Sequence, residues 1–407
     1  MKLQVEGFEF AGVAAGIKKR DKLDLGLIRA RGPSGGPVVV AGAFTQSCAA
    51  AAPVKLSAAR VAGGRCGALV VNSGNANACT GSQGMADAEE MSAHAARLTG
   101  GAEETSLVAS TGVIGNLLPM EKVRAGVEAA AAALSPEGGE RFAEAILTSD
   151  AGAKTATAEA ELDGARVRVV GFAKGAGMIM PDMRVVAAGL PGHATMLAFL
   201  CTDAKIDPGA LAALTGAAVQ DTFNAITVDG DTSTNDSVYV LASGHAGEAP
   251  LSEAGVAGLG ALLEQVMRAL AQEIVLDGEG ARRAFELRVE GARTVEEADA
   301  VARRVANSPL VKTAVYGADA NWGRIIAAAA TAGVTFDPEA AELEIAGRVI
   351  YSGGRWAGPE AEAEATAGMQ GRMFTVRLDL AQGDAARTLW ASDLGVEYVR
   401  FNGDYRS

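Results

Sequence analysis

Two segments of this chain alternate apolar and polar or charged residues at every second position. Phe285, Leu287 and Val289 alternate with Glu286, Arg288 and Glu290, and Phe374, Val376, Leu378 and Leu380 repeat the pattern. A period of two puts one set of side chains on one face of a strand, so such segments are stable only in a sheet with one face covered. Short strand signals recur at Val38–Val40, Ala68–Val71, Leu107–Ser110 and Arg166–Val170, and MKLQVEGFEF at the N-terminus alternates in the same way. Leu343–Tyr351 reads as a hairpin turning at Ala346-Gly347. Helical periodicity covers Asp87–Leu98, Met120–Leu134 and Gly255–Val275, and Thr294 with Glu297 forms a capping box opening a helix that runs to about Ala306. The Asn-, Gly- and Ser-dense stretch Val71–Gly81 and the stretch Ser110–Gly115 read as loops that follow strands. No fixed-period repeat and no long linker intervenes. The pattern predicts an α+β fold (mixed α/β) of layered sheets and helices, distinct from a doubly wound nucleotide fold.

A chain of 407 residues implies two or three domains, or one large intertwined unit. The net charge of -13 gives no electrostatic footprint for nucleic acid or for an anionic membrane. No run of about 18 apolar residues suggests a membrane span, and the N-terminus lacks the apolar core of a signal peptide. Cys48, Cys66, Cys79 and Cys201 form no CxxC pair and no metal spacing, so they are expected reduced and mostly buried in a cytoplasmic protein.

The motifs of common enzymes are missing. There is no GxSxG elbow, no GxxxxGK[ST] loop, no HExxH and no GxGxxG between a strand and a helix. Only His94, His193 and His245 are present, in an Ala-rich helix, a junction and a Gly-rich turn. Nucleophilic catalysis in this chain should therefore not depend on histidine.

One junction satisfies that condition. Ala194 precedes Thr195, and an apolar strand-like run, Met196–Cys201, follows. A chain that cuts itself between Ala194 and Thr195 frees a threonine whose own α-amine can serve as its base. On local sequence alone, Thr195 reads first as a threonine that opens a buried strand or helix. Ser110-Thr111-Gly112 can expose successive N–H groups to a developing oxyanion, or form an ordinary turn. Lys174, followed by glycines in AKGAGM, can bind a carboxylate as a point charge, or sit on the surface. Glu279, between glycines in LDGEGA, can meet a substrate ammonium, or be a solvated turn residue. The C-terminal FNGDYRS has the composition of a segment that docks and does not fray.

Taken together these segments resemble the arginine-biosynthesis ornithine acetyltransferase family, also called the glutamate N-acetyltransferase or ArgJ family. The resemblance rests on GVAAGIKK (12–19), NSGNANACTG (72–81), STGVIG (110–115), KGAGMIMPDM (174–183), ATMLAFLCTDA (194–204), ITVDGDTSTNDS (226–237), DGEGA (277–281), SPLVKTAVYGADANWGRI (308–325) and YVRFNGDYRS (398–407), in that order along nearly the whole chain. It implies a precursor that cuts itself at Ala194–Thr195 into an α chain, residues 1–194, and a β chain, residues 195–407. It also implies chemistry like that of N-terminal-nucleophile hydrolases, on intertwined α and β chains assembled as α2β2. The implied reaction carries acetyl from N-acetylornithine to Thr195 and then to glutamate, without metal or prosthetic group, and some members also use acetyl-CoA. The resemblance assigns Thr195 as nucleophile and Thr111 with Gly112 as oxyanion hole. It assigns Lys174, Thr195, Glu279, Asn402 and Ser407 to substrate binding.

The chain departs from the family pattern at two places. Arg184–His193 stands between Met183 and Ala194, where the family continues directly to Ala-Thr. Ala151 ends TSDA where the family pattern has a substrate-contacting threonine. Two other readings follow: an amidohydrolase or aminopeptidase using the same threonine, and an uncut, non-catalytic homologue.

Overall fold

The alternating segments and apolar runs are recruited into three sheets. The computed structural model describes residues 2–18, 22–185 and 196–404. The first sheet has the order β1 (Phe8–Val13), β2 (Leu25–Ala30), β5 (Ala68–Asn75), β6 (Ser106–Val113), with β5 and β6 parallel. The middle sheet runs β4 (Arg65–Cys66), β3 (Val38–Thr45), β12 (Ser237–Ala246), β10 (Leu197–Ala204), β8 (Ala165–Lys174), β7 (Lys154–Leu162), and β9 (Met183–Val185) pairs with β3. The third contains β11 (Ile226–Thr227), β18 (Ala385–Ser392), β13 (Ala284–Ala292), β17 (Met373–Asp379), β14 (Glu342–Ile345), β15 (Arg348–Ser352) and β16 (Arg355–Trp356). All strands of the first sheet precede residue 194 and all strands of the third follow it. The middle sheet draws on both sides.

Helices α1 (Ala52–Val61), α2 (Gly81–Thr99), α3 (Met120–Ala132) and α4 (Gly139–Ala145) serve the first half. The second half adds α5 (Pro208–Gln220), α6 (Glu253–Leu276), α7 (Val295–Ala306), α8 (Pro309–Gly317), α9 (Trp322–Ala329), α10 (Pro359–Gly368) and α11 (Val396–Asp404). α2 packs on β5 and β6, whereas α6 packs on β7 and β8, and α7 on β13 and β18. α6 is long and apolar enough to suit a membrane. Here its Leu259, Leu263, Val266, Leu270 and Ile274 are buried in the core between sheets and helices.

An aromatic layer separates the first sheet from the middle one. Phe10 and Phe172 lie 5.2 Å apart, Phe142 meets Phe199 edge-on at 5.4 Å, and Phe199 stacks on Tyr239 at 5.5 Å. The Tyr239 hydroxyl, buried with the rings, donates to the Val108 carbonyl of β6 at 3.2 Å. Large rings contribute most of the apolar burial here, and the phenol finds the partner that burial demands.

Several expectations hold in detail. The Thr294 hydroxyl accepts from the Glu297 N–H at 3.3 Å, and α7 ends at Ala306. The β14–β15 turn has Ala346 at φ 50 and Gly347 at φ 81, the left-handed pair that a two-residue hairpin loop requires. Others need correction. The first strand starts at Phe8, leaving residues 2–5 outside any strand. β5 continues to Asn75 and β6 to Val113, so much of what reads as loop is sheet. Cys66 and Cys201 are buried but Cys48 and Cys79 are exposed, and burial pushes the Cys66 thiol up to about 12.

The aromatic layer yields a test. Phe199→Ala empties a fully buried site between Phe142 and Tyr239 and should destabilise the fold by about 3–5 kcal/mol. Denaturant titration should show the midpoint falling, with a clearly smaller fall for Phe199→Leu.

Candidate active site

The ends of β5 and β6 approach more closely than side chains permit. Gly112 pairs with Gly74 across the parallel ladder at φ +131, and a Cβ there would lie 2.3 Å from the Gly74 carbonyl carbon. Only glycine fits. The preceding residue, Thr111, is fully buried, and its Oγ1 accepts a hydrogen bond from Lys174 Nζ at 3.1 Å. Lys174 ends β8, where it pairs in register with Leu197 of β10. Its Nζ also donates to Thr148 Oγ1 at 2.7 Å.

The second half of the chain closes the site. Past the end of α6, the Glu279 N–H donates to the Ala176 carbonyl at 2.8 Å. Its carboxylate lies over the glycine turn after Lys174, where a Cβ on Gly177 would come within 2.2 Å of Glu279 Oε2. Asn402 of α11 donates from Nδ2 to the same Oε2 at 3.0 Å. Asp229 fixes the turn itself. It accepts from the Met178 N–H at 2.6 Å, the Ile179 N–H at 2.9 Å and the Tyr398 hydroxyl at 3.2 Å. Thr111, Gly112, Thr148, Lys174, Glu279 and Asn402 line one cavity of about 150 Å³, with Asp229, Asp231 and Tyr398 also on its wall.

The electrostatics of the cavity follow from burial. Burial pushes the Lys174 ammonium below its ordinary range, against the pull of Asp150, and Lys154 adds to the lowering; Asp236 and Glu279 oppose it. Burial also works to raise the Asp150 carboxyl, but Lys174, Lys154 and the Thr148 N–H together hold it well below the usual carboxylate range. The Tyr398 phenol is pushed up by burial and then by Asp229. Burial, and next Asp229, raises Asp231. The wall therefore offers a buried cation on one side and carboxylates on the other, as a zwitterionic ligand requires.

Five of the residues singled out from sequence converge: Thr111, Gly112, Lys174, Glu279 and Asn402. Thr195, Ala194, His193 and Ser407 lie outside the described residues. β10 begins two positions after Thr195, directly beside Lys174, and the Met196 carbonyl accepts from the Ser237 N–H at 2.8 Å. Of the stretch 184–193, Arg184 and Val185 belong to β9, opposite Phe44 and Ala43 of β3. Thr111 and Gly112 lie within β6, and not in a loop after it. Ala151 is exposed, with its N–H on Asp277 Oδ2 at 3.0 Å. Within TSDA, the hydroxyl that meets Lys174 is that of Thr148. His94 lies 3.5 Å from Glu128 and His245 contacts Ser243, both away from the cavity. Thr148, Asp150, Asp229 and Tyr398 escape sequence reasoning. The one local hint is TSDA followed by Lys154, which sets an aspartate four positions before a lysine.

The ArgJ family model matches residues 9–407. The arginine biosynthesis bifunctional protein ArgJ of Geobacter sulfurreducens is 46% identical over 407 residues, covering all of both chains. The protein of that name from Symbiobacterium thermophilum is also 46% identical, over 98% of this chain and 97% of its own. Among solved structures, that of the Bacillus halodurans ArgJ protein is 41% identical, covers 50% of this chain and 96% of its own, and has a TM-score of 0.48.

Proposed function

This chain belongs to the ArgJ family, and we propose that it is a self-processing acetyltransferase that moves acetyl from N-acetylornithine to glutamate. The observation that carries the proposal is the convergence of Thr111, Gly112, Lys174, Glu279 and Asn402 on one cavity beside the start of β10. The residue two positions upstream of that strand is Thr195.

The steps balance without metal or redox partner. Hydrolytic scission between Ala194 and Thr195, in which a water adds its hydroxyl to the Ala194 carbonyl carbon and the proton passes to the Thr195 nitrogen, frees the threonine α-amine. Thr195 Oγ attacks the acetyl carbonyl of N-acetylornithine while that amine takes the hydroxyl proton. The carbonyl oxygen becomes an oxyanion held at Thr111 and Gly112. The C–N bond breaks, the proton passes to the leaving nitrogen, and ornithine departs from an acetyl ester. The glutamate amine attacks the ester by the reverse sequence, giving N-acetylglutamate and restoring the hydroxyl. Lys174 takes the α-carboxylate common to both substrates, and Glu279, held by Asn402, meets the ammonium. Ser407 completes the substrate contacts. Transfer between two amines is nearly balanced in energy, so an ester intermediate suffices.

The proposal extends to a cytoplasmic α2β2 assembly, and to acetyl-CoA as a second donor, an activity to be assayed because the named relatives are called bifunctional.

Mass spectrometry of the purified protein should show fragments 1–194 and 195–407. Thr195→Ala should give one uncut chain with no acetyl transfer. An uncut wild type without transfer would favour the non-catalytic reading. Release of free acetate faster than acetylation of glutamate would favour an amidohydrolase. Gly112→Ala forces the β5 and β6 ends apart, and should lower kcat on the order of 100-fold, the scale of losing an oxyanion donor. Steady-state kinetics on the processed variant checks this.

A further inference from the structure

We propose that Asp150 is a positioning residue, which keeps the Lys174 ammonium charged and aimed so that it can take the α-carboxylate of the amino-acid substrate. This rests on the reading that Lys174 binds that carboxylate. Asp150 is not part of the cavity wall, and its side chain is fully buried beneath it. Oδ1 accepts from the Gly175 N–H at 2.6 Å and from Lys154 Nζ at 2.8 Å. Oδ2 accepts from the Thr148 N–H at 3.0 Å and faces Lys174 Nζ at 3.9 Å. Lys154, 2% exposed, also donates to Asp277 Oδ2 at 2.5 Å. Two carboxylates and two ammonium groups thus form one balanced, mostly buried set. A buried charge persists only with such pairing.

The 3.9 Å separation matters. It is close enough for charge attraction and too long for a hydrogen bond. An ammonium has three N–H donors. Among the described residues, Lys174 Nζ gives two, to Thr111 Oγ1 and Thr148 Oγ1. Asp150 thus stabilises the charge without taking the third donor, which is left to a ligand carboxylate. It also holds the backbone on both sides, through the Thr148 and Gly175 N–H groups. At the far end of the set, Asp277 lies two residues before Glu279 and receives the Ala151 N–H. The same set therefore ties the lysine wall of the cavity to the glutamate wall.

The charged groups around Lys174 fix the sign of the test. Asp150, from the loop before β7, favours its charge, as do Asp236 before β12 and Glu279 after α6. Lys154 of β7 opposes it, and Lys18, near the N-terminus, is a further cation nearby. Substrate binds the protonated lysine, so KM rises as pH climbs through the Lys174 pKa. Removing Asp150 must move that rise to lower pH. Removing Lys154 must move it to higher pH.

The experiment measures KM and kcat for N-acetylornithine against pH in the full-length, self-processed protein, after fragment masses confirm processing. In Asp150→Asn, the alkaline rise in KM should move down by about one pH unit or more. KM should then be about tenfold above wild type on the alkaline side and return towards it at lower pH. In Lys154→Met the rise should move the opposite way. Equal weakening of Asp150→Asn at every pH, an unchanged KM, or shifts of the same sign in both variants would overturn the proposal. If Asp150→Asn does not accumulate folded and processed, the direction of the Lys154→Met shift decides alone. A wild type without acetyl transfer would instead refute the proposed function. Direct titration of N-acetylornithine binding across pH would then test Asp150 independently.

Discussion

A carboxylate with no exposed surface holds the candidate site in register. Asp150 takes two backbone N–H groups, one from each side of the Lys174 wall, and faces two lysines. Its surroundings keep it ionised far below the usual carboxylate range. Because the folded-state value is depressed, its stabilising contribution is present above the ordinary range near pH 4 and is lost as pH falls through the folded value. Breaking such a set by removing one member costs much more than the set contributes as a whole. The cluster therefore acts as a constraint: it admits one arrangement of the Thr148 loop, the end of β8 and the cap of α6.

The same economy of partners governs the opposite wall. Asp229 gathers Met178, Ile179 and Tyr398, so the glycine turn after Lys174 and the C-terminal helix share one acceptor. Behind it, the buried Lys312 donates to the Ser392 carbonyl, and burial lowers its pKa to about 8 despite Asp229 and Asp393. The glycine turn after Lys174 is thus held by two carboxylates from different connections, Asp150 at the Gly175 N–H and Asp229 at those of Met178 and Ile179.

Much of the scaffold is legible in the sequence because its signal is local. β13 and β17 have one polar and one apolar face, the β14–β15 hairpin has a turn pair that accepts left-handed backbone, and α7 carries its own cap. The ends of β5 and β6 are hidden for the opposite reason. Asn72–Asn75 and Ser110–Val113 have the composition of loops, and are strands here because each supplies the other's parallel partner and β2 pairs with Asn72. The site divides in the same way. Lys174 and Glu279 stand in glycine-flanked motifs that attract notice. Asp150, Thr148 and Asp229 are ordinary residues whose significance exists only once distant elements meet.

The middle sheet, with strands from both sides of residue 194, has a consequence for assembly. β10 lies between β8, from one side of the junction, and β12, from its own side, with both faces buried. A piece beginning at residue 195 would pair this strand with β12 alone, leaving the backbone edge that β8 covers open and a strongly apolar surface exposed. A piece ending at residue 194 would lack the strand that its β8 is shaped to receive. If the backbone is severed here, the scission must come after folding, and the two products are born already interlocked. They are not exchangeable parts, and mixing separately made halves should yield aggregates and not enzyme.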